Sequence, residues 1–422
     1  MLIKNVVVID KNSPHNGKKR DVMIEKGIIQ QIASRIKETK GKVIDFKNVH
    51  LSVGWLDIGV QSGEPGYEHR ENFQTLTAAA AAGGYTGIAV LPNTHPPIQT
   101  KTDVLFVKQQ SNLVDVYPIG VVSKNCEGKD LAELYDMQQA GCVAFSDGHH
   151  AIQSSGLMKR GLEYVKSFNG LLINHPHDEE LAKGGQVNEG KVSTELGMKG
   201  IPNLAEESML RTDLDLLGYT QSKLHVHNIS TEGSVKLIRE AKKQGLKVTA
   251  SVPVFNLIYN QEAVATFNTN FKVFPPLRQP SDIKALLKGL KDGTIDCITT
   301  NHTPLEDELK KLEFLYADFG TIGLATTFAL LSTHLSKFYT LPTLIEKLTS
   351  LPRKVLGLPM PSIQEGMDAN LTLFSNQQEW TFEKKHIYST SKNTPLLGET
   401  FRGKVLGVFN KEQHWIAPSV VK

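Results

Sequence analysis

The chain has 422 residues, of which 40% are hydrophobic and 22% are charged. This exceeds one ordinary domain of about 100–200 residues, and the composition excludes a disordered or fibrous protein. The net charge of +3 disfavours nucleic acid or an anionic membrane surface as a partner. Cys126, Cys142 and Cys297 are widely spaced without a CxxC motif, and no apolar run approaches the roughly 20 residues of a membrane span. The sequence therefore predicts a globular protein of the cytoplasm, a reducing compartment.

Both ends of the chain carry apolar runs of strand length that alternate with turn residues. These runs are residues 6–9, 21–24, 27–32, 370–374 and 403–409. Because the two ends share this pattern, we expect residues 1–52 and 364–422 to build one small β-sandwich domain.

The middle of the chain alternates helical and strand patterns, which is typical of a parallel sheet with helical crossovers. Three such pairs are helix 73–82 with strand 86–91, helix 234–243 with strand 246–252, and helix 281–291 with strand 295–300. About eight units fit between residues 53 and 363, which predicts a (β/α)8 barrel of the TIM type. In this α/β fold, functional residues lie at the C-terminal ends of the strands.

Several short motifs lie near these predicted strand ends. They are Gly54-Trp55-Leu56-Asp57, Glu64-Pro65-Gly66, Leu91-Pro92-Asn93-Thr94, Phe145-Ser146-Asp147, Leu196-Gly197-Met198-Lys199-Gly200-Ile201-Pro202, Pro275-Pro276-Leu277-Arg278, Asp292-Gly293-Thr294-Ile295-Asp296-Cys297-Ile298 and Asn393-Thr394-Pro395. In their order and approximate spacing, over nearly the whole chain, they resemble the dihydroorotases of the amidohydrolase superfamily. The resemblance implies a barrel with a terminal β-sandwich, and an enzyme of pyrimidine biosynthesis that opens the cyclic amide of dihydroorotate with one or two zinc ions.

The resemblance also implies zinc ligands at the strand ends, and the first of these positions are replaced. The family's first strand ends in His-x-His, and here Gly59 and Gln61 stand at the two positions. The family's next ligand, an aspartate, corresponds to Gly148. A one-residue shift would bring Asp147 to that position instead.

The later metal positions are mostly replaced too. The family's second strand-end histidine is Asn228, and the aspartate that binds metal and moves the proton is Asn301. His175 is the only family ligand that remains. Because one histidine cannot hold a catalytic zinc ion, we expect neither a cofactor nor a catalytic residue.

The residues that contact substrate in the family are replaced as well. Its carboxylate-binding arginine corresponds to Gly63, an asparagine to Phe274 and a histidine to Leu305. Asn93 alone is kept, as a vestigial substrate-binding residue.

The remaining histidines allow a second interpretation. A displaced metal site could be built from the clusters at His149, His175 and His225, although buried or surface histidines without a ligand role explain them as well. His302, next to Asn301, could be a remnant base, but the sequence offers it no orienting carboxylate. The charged run 306–311 is interpreted as a solvated loop or helix start.

The leading hypothesis is a pseudoenzyme, a dihydroorotase homologue without catalysis. The resemblance implies, for such non-catalytic members, a structural partnership with aspartate carbamoyltransferase, and we expect a homo-oligomer. The alternative is an active amidohydrolase of the dihydroorotase, allantoinase or hydantoinase type that opens a cyclic amide with zinc at an altered site. A third possibility is a binding module in which Phe274 and Leu305 have made the former pocket apolar.

Overall fold

A computed structural model describes residues 1–37 and 41–418. Its strands are β1 (Leu2–Ile9), β2 (Lys19–Glu25), β3 (Ile28–Ala33), β4 (Val43–Asp45), β5 (His50–Val53), β6 (Trp55–Val60), β7 (Tyr85–Val90), β8 (Asp115–Gly120), β9 (Ala144–Phe145), β10 (Leu172–Asn174), β11 (Val187–Asn188), β12 (Gly200–Ile201), β13 (Leu224–Val226), β14 (Val248–Pro253), β15 (Cys297–Thr299), β16 (Asn370–Thr381), β17 (Thr400–Asn410) and β18 (Gln413–Ile416). Its α-helices are α1 (Phe73–Ala82), α2 (Lys101–Gln109), α3 (Leu134–Ala140), α4 (Ser155–Ser167), α5 (Lys191–Glu195), α6 (Asn203–Thr220), α7 (Glu232–Lys243), α8 (Val254–Ile258), α9 (Pro280–Asp292), α10 (Asp307–Lys310), α11 (Thr327–Leu330), α12 (Leu341–Leu348) and α13 (Ser350–Leu356).

Eight parallel strands form the barrel, in the order β6-β7-β8-β9-β10-β13-β14-β15. The first and last of them, β6 and β15, lie side by side and nearly close the sheet. Every residue of β6 and β7 is buried, as expected for strands covered on both faces. The predicted (β/α)8 barrel is confirmed, and its strands all point their C-terminal ends to one side.

The two ends of the chain build the second large sheet, in the order β18-β17-β16-β5-β1-β2-β3 with β4 beside β1. The prediction of one terminal β domain is confirmed. An apolar core of its own underlies this sheet, with Ile3, Leu51 and Leu371 among its buried members. β5 ends at Val53 and β6 begins at Trp55, whereas the exact domain boundaries at residues 52/53 and 363/364 stay a prediction.

Local signals explain why the helices begin and end where they do. The Asn72 side chain accepts a hydrogen bond from the backbone N–H of Thr75 at the start of α1, and Gly83 ends this helix, so α1 has the predicted bounds. α7 begins at Glu232, two residues earlier than predicted, because Thr231 caps it through the N–H of Ser234. Within residues 1–37 and 41–418, no helix has the length and apolar character needed to cross a membrane.

Candidate functional site

The strand ends bring the residues singled out in the sequence to one end of the barrel. We call this group the barrel mouth, and it consists of Gly59, Gln61, Asn93, Gly148, His149, His175, His227, Asn228, Phe274 and Asn301. Hydrogen bonds and ring contacts join these residues across the barrel. The structure therefore brings the positions singled out in the sequence together, and their role as a site stays a prediction.

Asn228 and Asn301 bond to each other at the centre of the mouth. The Asn228 Nδ2 atom donates to Asn301 Oδ1 at 3.0 Å, and Asn228 Oδ1 accepts from Thr299 Oγ1 at 2.6 Å. Asn301 Nδ2 donates to the carbonyl oxygen of Phe274 at 2.9 Å. The protein itself thus supplies partners for both amides. A side-chain amide cannot take up a proton near neutral pH, so Asn301 cannot serve as the base.

Histidines that follow other strands contact both positions at the end of β6. Gly59 has a φ of +85°, and a Cβ atom there would overlap the imidazole of His227. The Gln61 side-chain amide is hydrogen-bonded to His149 Nε2. His227 therefore occupies the space that a side chain at position 59 would need.

The buried histidines of this region are neutral. Burial lowers the pKa of His149 to about 4 and that of His225 to about 3, and it lowers those of His175 and His227 well below the usual range. The His225 ring lies within hydrogen-bond distance of the Thr249 and Ser251 hydroxyls, at 2.9 and 3.2 Å. These imidazoles stay uncharged at neutral pH.

Asp147 does not contribute its carboxylate to the mouth. Its oxygens accept hydrogen bonds from the N–H groups of Val122 and Ser123, at 2.8 and 2.9 Å, and from Ser123 Oγ at 2.5 Å. A Cβ atom at Gly148 would overlap the Asn93 side chain. Asn93 itself bonds to the Asp147 carbonyl and to the His149 N–H, so its amide is occupied by the neighbouring loop.

The three positions that the motif resemblance assigns to substrate contact are apolar or lack space for a side chain. Phe274 packs against His175 and His177, with ring centroids 4.9 and 4.6 Å apart. Leu305 is buried, and a Cβ atom at Gly63 would overlap the carbonyl oxygen of Glu71. None of these three positions offers a cation to a carboxylate.

The side chains of the mouth offer a poor set of donor atoms for zinc. Zinc is held by thiolate, imidazole and carboxylate donors in a tetrahedral set. Within the described residues 1–37 and 41–418, no three or more His, Cys, Asp or Glu side chains are grouped so that they could hold a metal ion. The amide oxygens of Asn228 and Asn301 are neutral and already hydrogen-bonded, so these positions do not fit a zinc ion.

The expectation that His302 has no orienting carboxylate was wrong. His302 Nε2 lies 3.5 Å from Glu71 Oε2, and both side chains are buried. His302 Nδ1 accepts a hydrogen bond from the Gly323 N–H at 3.2 Å. Glu71 also accepts hydrogen bonds from Ser389 and from the Thr390 N–H. His302 therefore has a buried carboxylate beside its Nε2 atom, although Nε2 itself forms no hydrogen bond within the described residues.

The sequence analysis did not predict a buried ion pair that lies beside the mouth. Arg278, the last residue of the Pro-Pro-Leu-Arg motif, lies 3.7 Å from Glu206 and donates to Ser230 Oγ and Asn188 Oδ1, both at 3.0 Å. It also donates to the carbonyl oxygen of Ile201 at 2.8 Å. The pair ties β11 and β12 to the loops after β13 and β14.

Comparison with known proteins decides the family. Dihydroorotase from Syntrophus aciditrophicus is 40% identical over 412 residues, which cover 96% of this chain and 96% of that protein. The chain belongs to the dihydroorotase family. Dihydroorotase from Thermoanaerobacter sp. is also 40% identical, over 96% of this chain and 94% of that protein, and a family model described as Dihydro-orotase-like matches residues 49–234. The resemblance found in the motifs is thereby confirmed.

Solved structures agree on the fold of this dihydroorotase-family chain. L-Hydantoinase (dihydropyrimidinase) from Arthrobacter aurescens superposes with a TM-score of 0.85 over 98% of this chain and 95% of that one, at 21% identity. Dihydropyrimidinase from Brevibacillus agri gives a TM-score of 0.82 over 98% and 94%, at 19% identity. These matches confirm the barrel with its terminal β domain.

Proposed function

We propose that this member of the dihydroorotase family has kept the fold and has lost zinc-dependent hydrolysis. The observation that carries the proposal is the hydrogen-bonded pair of Asn228 and Asn301. The family resemblance puts a metal ligand at the first position, and a ligand that is also the proton carrier at the second. Thr299 and Phe274 supply further hydrogen-bond partners for the pair, so both side-chain amides are engaged within the protein.

The chemistry of amide hydrolysis supports this proposal. Zinc lowers the pKa of its bound water from 15.7 to about 7, which supplies hydroxide at neutral pH. General-base catalysis contributes a further factor of roughly 10²–10⁴. Asn301 supplies no base, because its side-chain amide cannot take up a proton near neutral pH. Losses of metal ligand and base together leave the mouth without a way to activate water.

A second candidate is an active cyclic-amide hydrolase with an altered zinc site. The observation in its favour is the identity of about 40%, over nearly the full length, to proteins named dihydroorotase. Under this candidate the chain would open dihydroorotate, allantoin or a hydantoin. Its zinc would be held by histidines from the clusters at His149, His175 and His225.

Turnover separates the two candidates. The purified chain is assayed with dihydroorotate, allantoin and hydantoin, with and without added zinc, beside a dihydroorotase from Thermoanaerobacter sp. as the positive control. We expect no hydrolysis above that of zinc alone. Zinc-dependent turnover that His175→Asn abolishes would overturn the proposal and establish the hydrolase.

We also propose that the chain acts in the cytoplasm, as a homo-oligomer that associates with aspartate carbamoyltransferase in pyrimidine biosynthesis. The support is the resemblance to non-catalytic members of the family, together with three free cysteines. The test is gel filtration with light scattering of the chain alone and mixed with aspartate carbamoyltransferase of the same organism. Co-elution at the summed mass is expected, whereas separate elution would contradict the partnership.

A further inference from the structure

A cavity of about 440 Å³ lies between the terminal sheet and the barrel, and no mouth residue lines it. Ala82, at the end of α1, and Phe328, in α11, form its barrel side. Trp380 of β16 and Trp415 of β18 lie on its sheet side. Small-molecule sites commonly have volumes of about 300–1,000 Å³, so the cavity has the size of a ligand site.

Aromatic side chains form much of the cavity wall. Trp380 meets His386 edge to face, with ring centroids 5.0 Å apart and planes at 88°, and Tyr388 meets Trp415 at 6.0 Å and 90°. Trp380 Nε1 donates to the carbonyl oxygen of Gly403 at 2.8 Å, which fixes the orientation of its ring. Both tryptophans are only half-buried, which leaves part of each ring open to contact with a flat ligand.

One cation of the cavity has no acidic partner. The Lys404 Nζ atom lies 5.5 Å from the centroid of the Trp380 ring and, within residues 1–37 and 41–418, forms neither a hydrogen bond nor an ion pair. Lys385, on the exposed rim, is instead paired with Glu383 at 2.6 Å. Burial lowers the pKa of Lys404, and the nearby charge of Lys385 lowers it further. A bound anion beside Lys404 would offset both the burial and the repulsion from Lys385, and it would raise the pKa of Lys404 again.

We propose that this cavity binds a planar aromatic anion, with its ring against Trp380 and Trp415 and its acidic group on Lys404. The aromatic wall selects a flat ring, and the unpaired ammonium selects one negative charge. Lys385 is already neutralised by Glu383, so a second acidic group would gain little. The site is independent of the mouth, and it stands whether or not the chain hydrolyses amides.

Calorimetric titration of the full chain with 2-naphthoate tests the site. We expect one 2-naphthoate per chain, and binding of the neutral isostere 2-naphthamide at least about tenfold weaker, as for loss of a charge-assisted hydrogen bond. Cyclohexanecarboxylate keeps the charge without a flat ring, and it too should bind more weakly. This comparison uses the unmodified chain and so does not depend on the folding of a variant.

Two variants test whether 2-naphthoate binds in this cavity. Lys404→Gln removes the charge and keeps most of the side-chain stem, and it should weaken 2-naphthoate about tenfold or more. Lys384→Gln is the matched control, because Lys384 is exposed and does not line the cavity, and it should leave the affinity unchanged. No binding of 2-naphthoate at millimolar concentration, equal affinity for 2-naphthamide, or full affinity in Lys404→Gln would each overturn the proposal.

Discussion

The centre of the barrel mouth contains uncharged side chains, whereas the residues around it include buried carboxyl groups. The centre holds neutral amides, neutral imidazoles and the Phe274 ring. Around it lie four buried carboxyl groups with their partners, which we call the charged ring after its arginine–carboxylate pair: Asp57 with Thr300, Glu71 with His302, Asp147 with Ser123, and Glu206 with Arg278. Burial raises the pKa of Asp57 to about 7, so this member is only partly ionised at neutral pH.

The two regions therefore have different roles. The charged ring holds backbone segments together, whereas the centre is the place where any chemistry would occur. Each carboxylate of the charged ring accepts hydrogen bonds from segments that the barrel must hold together, as Asp57 does from Thr300 between β6 and β15. The centre also joins distant segments, as Asn228 does with Asn301, but among the described residues it does so through hydrogen bonds and ring contacts between uncharged side chains. The barrel can thus be held together by its charged ring whatever chemistry the centre performs, since fold and function are separable.

The largest expected loss of stability follows from removing the Arg278 guanidinium from the charged ring. Arg278→Met leaves the Glu206 carboxylate buried without its cation, which should lower the free energy of unfolding by about 3–5 kcal/mol. Arg239→Met is the control, because the Arg239–Asp292 pair is about one-third exposed and should cost about 1 kcal/mol or less. Urea unfolding of both variants measures the difference. Equal losses would show that the charged ring does not stabilise the fold in this way.

A smaller effect is expected at Gly59, where the His227 ring lies close to the backbone. Gly59→Ala places a Cβ atom against the His227 ring, whereas Gly17→Ala meets nothing within 4 Å at a similar positive φ. Gly59→Ala should therefore destabilise the chain by about 1–3 kcal/mol more than Gly17→Ala does. If the two variants unfold at the same urea concentration, position 59 still has room for a side chain.

The neutral histidines of the centre predict a smaller, pH-dependent effect. The pKa of His225 is about 3 in the folded chain and about 6.5 when unfolded, so between these values the unfolded chain binds one more proton. Stability from His225 is therefore present above pH 6.5 and falls as the pH falls, by about 2 kcal/mol at pH 5.

The variant His225→Gln isolates this effect. It removes the titrating group, so its stability should fall less than that of the unmodified chain between pH 8 and pH 5. The stability difference at pH 8 measures the packing cost alone and serves as the internal control. Identical pH slopes for the two chains would mean that His225 is not held neutral by the fold.

Strand ends and helix signals made much of the molecule predictable. Asn228 and Asn301 meet because both follow parallel barrel strands, and the polar cap at Asn72 with the glycine at Gly83 set the bounds of α1. These features depend on local sequence and on one general rule of the fold.

Contacts between distant segments could not be predicted in this way. Nothing near His302 indicates that Glu71 will lie beside it, and Gly59 gives no sign that His227 fills its space. Residues 306–311 contain a helix start, as predicted, because α10 begins at Asp307; Lys310, however, is not solvated but buried, and it donates to the carbonyl oxygen of Asp318 at 2.7 Å. Such pairings depend on tertiary packing, which one sequence does not reveal.

The zinc content of the chain tests the central claim most directly. The protein is purified without chelator from zinc-supplemented cells, and zinc per chain is measured by elemental mass spectrometry before and after incubation with zinc. We predict far less than one zinc ion per chain and no gain on incubation. One or two tightly held zinc ions per chain would contradict the account and would place a working metal site among the histidines of the barrel mouth.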